Sequence, residues 1–251
     1  MPDPRQRGAT ALGRGHGLRI GRRILHYDAV DSTNSRVLAL HGDGVVAAAE
    51  AQTAGRGRHG RSWHSAPGQG LWMSVGLDRA IDGLLFAAAL AVRDTVRDAL
   101  SGCGCVVSLK WPNDVLVDGR KACGMLIERR GGRTALGIGI NVHQRRDDFP
   151  EELRDRAISL DMAAGRELSR WRLLRALITH LDRRIATVEA EGALGAWTEW
   201  AAACAIEGRR IRSGEEEGVA IRLDRTGAII LSTPKGVRTV AWGDVIEQHA
   251  F

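Results

Sequence analysis

Residues 106–130 read VVSLKWPNDVLVDGRKACGMLIERR, and the organisation of the chain follows from this stretch. Val106–Lys110 and Val115–Val117 are apolar, β-branched runs of strand length, bracketing Trp111-Pro112-Asn113-Asp114. Pro112 restrains Trp111 to extended backbone, so these four residues make a fixed crossing between strands rather than a mobile lid. Asp118-Gly119 is a two-residue hairpin signal that returns the chain along Lys121–Arg130. Upstream, Ile24–Val30, Val45–Ala51 and Leu71–Leu77 are predicted strands. Asp31 or Ser32 would cap a helix from near Ser35, and Leu84–Leu100 carries one apolar helical face. Downstream come a strand over Thr134–Val142 and helices over about 169–191 and 193–206. After Glu207 the texture changes. Short strands (Ile211, 219–223, 228–231, 237–242) alternate with the turns Ser213-Gly214, Thr226-Gly227 and Pro234-Lys235-Gly236, the pattern of a small β-barrel.

The chain therefore reads as α+β: a flexible tail over 1–23, a mixed α/β domain over 24–206 and a small barrel over 207–251. Its 251 residues are 44% hydrophobic and 26% charged, values ordinary for a soluble globular protein. The apolar run LLFAAALAV at 84–92 is too short to span a bilayer. No apolar stretch follows the N-terminal arginines, so a secretory signal is not expected and the cytoplasm is. Residues 1–20, rich in Gly, Arg and Pro, are predicted to be disordered or loosely draped. Cys103, Cys105, Cys123 and Cys204 fit no metal spacing and read as reduced structural thiols. The net charge of +6 raises a nucleic-acid reading that charge alone does not decide.

Residues 55–63 read GRGRHGRSW, three arginines and a histidine among three glycines. Arginine offers a planar fork for phosphate and carboxylate oxygens, and glycine lets the backbone approach a ligand closely. Gly55, Gly57 and Gly60 match G-x-G-x-x-G literally, but a dinucleotide loop needs a helix directly afterwards, which Pro67, Gly68 and Gly70 forbid. The loop reads instead as a clamp on anionic groups. In the crossing, Asn113 can donate and accept, and Asp114 can accept a proton or hold a cation. A turn capped by Asn and Asp is the plainer alternative. Lys121, brought back past the hairpin turn towards that carboxylate, favours the chemical reading.

These residues resemble the biotin–protein ligases. The resemblance runs through DSTN (31–34), QTAGRGRHGRSW (52–63), KWPNDVLV (110–117), RKACGMLIE (120–128) and GIGIN (137–141), and covers about residues 24–248. It implies a mixed-sheet catalytic domain of the biotin/lipoate ligase type followed by an SH3-like barrel. It also implies an ATP-dependent reaction in two steps: biotin and ATP give biotinyl-5′-adenylate, and biotin then passes to a lysine of a biotin carboxyl carrier domain. By resemblance, Ser32, Thr33 and Gln52 bond the ureido ring with Asn34 beside them. Gly55, Arg56, Gly57 and Arg58 wrap the carboxylate and phosphates, and Arg61 and Lys110 join the nucleotide side. Lys121 bridges the biotin carboxyl and the α-phosphate. Asn113 faces ATP phosphates or Mg²⁺, with Asp114 a second candidate for the metal and the candidate base for the incoming lysine. Gly124 and Gly139 keep room for the biotin rings, Asn141 lies near the adenine or ribose, and Trp63 either packs under the loop or touches the ligand.

Two departures stand out. The residues ahead of the core are too few for a helix-turn-helix, which implies a ligase-only form that binds no DNA. Ala157 occupies a place, ahead of Ile158-Ser159-Leu160, where a tryptophan often stacks on the adenine; Trp72 or a later aromatic is the substitute considered. A lipoate/octanoate–protein ligase is the nearest rival, and a nucleic-acid-binding module the rival from another class. The first lacks the GRGRxGRxW and KWPND motifs; the second expects basic residues spread along a face with stacking aromatics, whereas the arginines here concentrate in one glycine loop and the tail and aromatics are 4%. The resemblance allows a monomer, or a homodimer paired through the sheet edge near GIGIN, and no membrane partner.

Overall fold

A strand shows its side chains alternately to two faces, and in this protein the two faces of one sheet do different work. The computed structural model describes residues 10–11, 18–241 and 244–245. β1 (Thr10–Ala11), β2 (Ile24–Val30), β3 (Val45–Gln52) and β4 (Gly70–Leu77) form one half of an eight-stranded sheet. β5 (Val107–Lys110), β6 (Asp114–Val117), β7 (Arg120–Arg130) and β8 (Arg133–Asn141) form the other, in the order β1-β2-β3-β4-β8-β7-β6-β5. Among the described strands of this sheet β2 and β3 alone pair in parallel, and the crossover between them carries α1 (Thr33–Ala39). That helix starts two residues before the predicted Ser35, so Thr33 and Asn34 lie in its first turn. Ser32 is its N-cap but makes no capping bond with its side chain.

β4 is buried on both faces, as a central strand is. Leu71, Met73, Val75 and Leu77 join the main core with α2 (Leu84–Ala99) and α4 (Arg170–Glu191). α4 supplies Leu173, Leu177, Leu181, Ile185 and Val188 at helical spacing, and α2 approaches through small residues, Ala87, Ala88 and Ala91. On the other face α1 covers a smaller cluster of Tyr27, Val30, Val37, Val45, Ala47 and Ala135. The residues of β4 between the core leucines and valines, Trp72 and Ser74, look towards the site described below.

α3 (Leu160–Ala164) and α5 (Leu194–Cys204) lead to β9 (Arg210–Ser213), β10 (Glu216–Leu223), β11 (Ile229–Thr233), β12 (Gly236–Val240) and β13 (Asp244–Val245). These make a five-stranded antiparallel sheet, order β12-β11-β10-β9-β13. The sheet is consistent with the predicted small SH3-like domain, and among the described residues no pairing of its edge strands β12 and β13 closes it; Trp242 lies outside those residues. The sheet is not free-standing. Trp111 Nε1 donates to Gly227 O at 2.8 Å and Trp197 Nε1 to Asp224 O at 2.7 Å.

The predicted tail is shorter at its C-terminal end. Thr10 and Ala11 pair with β2. Ile20 is in the core, and Asp182 accepts from the Arg19 and Ile20 amides. Packed chain therefore begins by Leu18 rather than Ile24; residues 1–9 and 12–17 lie outside those described. Among the described residues no helix is long and apolar enough to cross a membrane.

Four charges tie the helices together. Arg93 and Arg184 both bond Asp94 and Glu199, linking α2, α4 and α5. Burial pushes the Asp94 carboxyl up, but bonds from Arg184 and Arg93 more than reverse this and hold it below its ordinary range; Glu199 behaves alike. A carboxylate with a lowered folded pKa stabilises fully above its unfolded pKa, and that contribution is lost as pH falls through the folded value. Asp94→Asn is expected to cost ~1–3 kcal/mol near neutral pH, and its deficit against the parent, followed by urea unfolding, is expected to shrink as pH drops below about 4. A deficit independent of pH would show that the network does not act through charge.

Candidate active site

Register places the site. Trp72 on β4, Gly139 on β8, Gly124 on β7, Asp114 on β6 and Lys110 on β5 are successive neighbours in one row across the sheet. In the next row Ser74 pairs with Gly137, and Gly137 with Leu126. Gly137 and Gly139 are two apart and so share a face, and with Gly124 they leave that face without side chains. The result is the floor of a cavity of about 860 Å³.

Lys121 reaches this face through a β-bulge. β6 pairs Val115 with Cys123 but Leu116 with Lys121, so Ala122 is an extra residue. Ala122 and Cys123 both enter the core with Val115 and Val117. Strict alternation would give Lys121 the face of Cys123; the bulge returns it to the face of Leu116, Gly124 and Asp114. Its Nζ lies 2.7 Å from Asp114 Oδ1, the proximity anticipated from the hairpin turn. Its backbone is clamped as well: Lys121 N donates to Arg156 O and Ile158 N to Lys121 O.

The arginine loop folds over one end. Arg56 bridges to Ser62, and His59 and Gly60 turn the chain with φ of 55° and 73°. Arg58 Nη1 donates to Asn113 Oδ1 at 3.3 Å, and Asn113 Nδ2 to Met125 O, so the loop meets the crossing directly. Every predicted site residue lines the cavity except Gly55, whose role is close packing: a methyl there would lie 2.6 Å from Trp63 O.

Several predicted residues have partners other than the expected ones. Arg56 forms a two-pronged pair with Glu128, Nε to Oε1 at 3.1 Å and Nη2 to Oε2 at 2.9 Å. Gln52 gives its oxygen to the Thr33 amide and hydroxyl and its nitrogen to Ser65 Oγ. Asn141 braces the wall, donating to Lys121 O and Ile158 O while accepting from Gln144. Trp72 is 1% exposed beneath Trp63 and offers no surface to a base, which removes it as the substitute for Ala157. Asn113 and Asp114 build no metal cage, because Arg58 and Lys121 already engage them. No cluster of three or more His, Cys, Asp or Glu suited to a metal occurs among the described residues.

Trp63 settles on the floor. A methyl on Gly139 would lie 2.6 Å from its Nε1, and one on Gly124 2.7 Å from its ring. Lys121 Nζ stands 5.2 Å from the ring centroid, and Trp72 meets it edge-on at 6.3 Å. The buried Nε1 has no hydrogen-bond partner. The room expected to be kept by the two glycines is therefore occupied by the protein's own indole. Ser65, Ser74 and Glu128 were not anticipated from sequence; only Glu128 carried a signal, as the end of the RKACGMLIE motif. Gly139→Ala is expected to push the indole away, giving a red-shifted emission and stronger acrylamide quenching that vanish in a Trp63→Phe background. Equal shifts in both backgrounds would place the indole elsewhere.

Comparison with known proteins places the chain in a family. Residues 28–144 match the family described as biotin/lipoate A/B protein ligase. The chain is 36% identical over 233 residues to the biotin–[acetyl-CoA-carboxylase] ligase of Mycobacterium tuberculosis, covering 86% of this chain and 85% of that one. It is 32% identical over 244 residues to the bifunctional ligase/repressor BirA of Bacillus subtilis, covering 90% of this chain and 74% of that protein. The biotin protein ligase of Aquifex aeolicus, solved in complex with biotin and ATP, superposes with a TM-score of 0.76 at 28% identity, over 88% of this chain and 96% of that one.

Proposed function

This chain belongs to the biotin/lipoate A/B protein ligase family, as a biotin protein ligase, and on that premise we propose how its cavity carries out the two steps. The enzyme is an ATP-dependent biotin–protein ligase. In the first step a biotin carboxylate oxygen bonds the α-phosphorus of ATP as the bond to pyrophosphate breaks. In the second, a carrier lysine amine bonds the acyl carbon, AMP leaves with the bonding electrons, and the amine gives up a proton. The substrate of this second step is a biotin carboxyl carrier domain.

The observation that carries the reading is the Lys121–Asp114 pair at the edge of a glycine floor and under an arginine loop. Carboxylate and triphosphate repel each other, and fixed cations in a site shielded from water offset that repulsion as the transition state forms. Lys121 is placed to turn its ammonium from Asp114 to the reacting oxygens. That move frees Asp114, which can then orient or deprotonate the incoming lysine. Arg58, Arg61 and Lys110 face the phosphates. The Ser32 hydroxyl, free of capping, and the Thr33–Gln52 pair meet the ureido group, with Asn34 behind them. For the rings to lie on Gly124 and Gly139, Trp63 must lift from the floor and become a wall over them. Asn141 acts on the nucleotide side by fixing the backbone of Lys121 rather than by touching adenine. Magnesium would offset phosphate charge and is read as arriving with the triphosphate.

ATP–pyrophosphate exchange tests the first step. Exchange is expected with biotin and not with lipoate or octanoate; the reverse would assign the chain to the sister activity. Lys121→Ala is expected to keep biotin binding and lower exchange by roughly 10²–10³-fold. An unchanged rate would remove its bridging role.

A further inference from the structure

Glu128 sits on β7 outside the cavity lining, yet its side-chain hydrogen bonds run to site residues. Its carboxylate accepts from Arg56 with both oxygens and from Asn34 Nδ2 at 2.7 Å. Arg56 also bonds Ser35 Oγ in α1. Asn34 Oδ1 accepts from Ser74 Oγ at 2.6 Å, and Ser74 Oγ lies 2.7 Å from Thr33 Oγ1. Thr33 donates to Gln52 Oε1, Gln52 Nε2 donates to Ser65 Oγ, and Ser65 Oγ donates to Trp63 O. The chain of bonds is continuous from the first arginine of the loop to its last residue. Both feet of the loop are thus tied to one polar ladder, and that ladder includes Thr33 and Gln52, read as meeting the ureido group, with Asn34 beside them. Burial pushes the Glu128 carboxyl up, and bonds from Arg56 and Asn34 more than reverse it, so the group stays ionised.

Gly55, Gly57 and Gly60 make this segment costly to order, at ~1–2 kcal/mol per residue fixed. A tether at each foot reduces what the ligand must supply. An arginine here would otherwise be drawn to the phosphates; opposite Glu128 its charge is matched and its fork is aimed downward. We propose that Glu128 is a positioning residue that turns Arg56 into a pin, so that the loop stays shut over the adenylate and slows its escape. This rests on the ligase reading above.

The test loads the full-length protein with biotin and radiolabelled ATP, removes free nucleotide, and follows release of labelled biotinyl-adenylate without carrier. Glu128→Gln, Arg56→Gln and the double variant are compared with the parent, with thermal unfolding recorded for each. Each single change is expected to speed release about tenfold, the size of one lost charge-assisted contact. The double variant is expected to match the singles rather than reach about a hundredfold, because the two residues act through one another. Should Glu128→Gln fail to fold, Arg56→Gln alone, which keeps the bond from Asn34 to Glu128, must still speed release. Release at the parent rate, or multiplication in the double variant, would overturn the inference while leaving the ligase reading intact. A parent chain that forms no adenylate would overturn both.

Discussion

A β-ladder gives its side chains two directions only, and the site depends on one extra residue breaking that alternation. Ala122 doubles up with Cys123 on the core side, and Lys121 comes out beside Asp114 on the other. The core keeps its apolar contacts, and the lysine reaches the floor made by Gly124, Gly137 and Gly139. Without the extra residue the ammonium would point among Val115, Val117 and Leu109, where an unpaired charge is prohibitively costly. Chemistry and stability are interleaved residue by residue along β7, so neither can be altered there without touching the other.

What was readable in the sequence was local. The Asp118-Gly119 turn, the Leu84–Leu100 face and the Val45–Ala51 and Thr134–Val142 strands each announce themselves within a few residues, and they form close to where they were predicted. GIGIN announces a bare face for the same reason, glycines two apart on a strand. What was not readable depends on register between distant strands. Ser74 looks like any serine in an apolar strand until it is set against Asn34, 40 positions away, and Glu128 meets Asn34 across 94. The arginines of the loop read from sequence as anion grips. That Arg56 is matched by a carboxylate of its own protein follows only once β7 lies beside α1. The tail misled by composition: its Gly and Arg content hid Ile20, a core residue whose amide is held by Asp182 of α4.

The polar ladder and the bare floor explain each other. Hydroxyl and amide groups on a buried face must be satisfied, and here they satisfy one another in sequence, which fixes their arrangement beside the floor. Trp63 shows the opposite condition, an indole N–H without a partner resting in space that no side chain fills. A group held with a polar atom unmet is held less firmly than its buried area suggests. The site therefore joins a stiff wall to a loosely seated cover.

The bond from Trp111 to Gly227 has a bearing on how the enzyme is made. The crossing that carries Asn113 and Asp114 is anchored to a turn 116 residues further along the chain. Synthesis proceeds from the N-terminus at roughly 5–20 residues per second, so the eight-stranded sheet is complete well before that turn leaves the ribosome. For that interval, on the order of ten seconds, Trp111 has no acceptor from the small sheet, and a chain with its whole arginine loop is still short of a finished active site. The small sheet thus reaches the crossing late, after every strand of the larger sheet has been made.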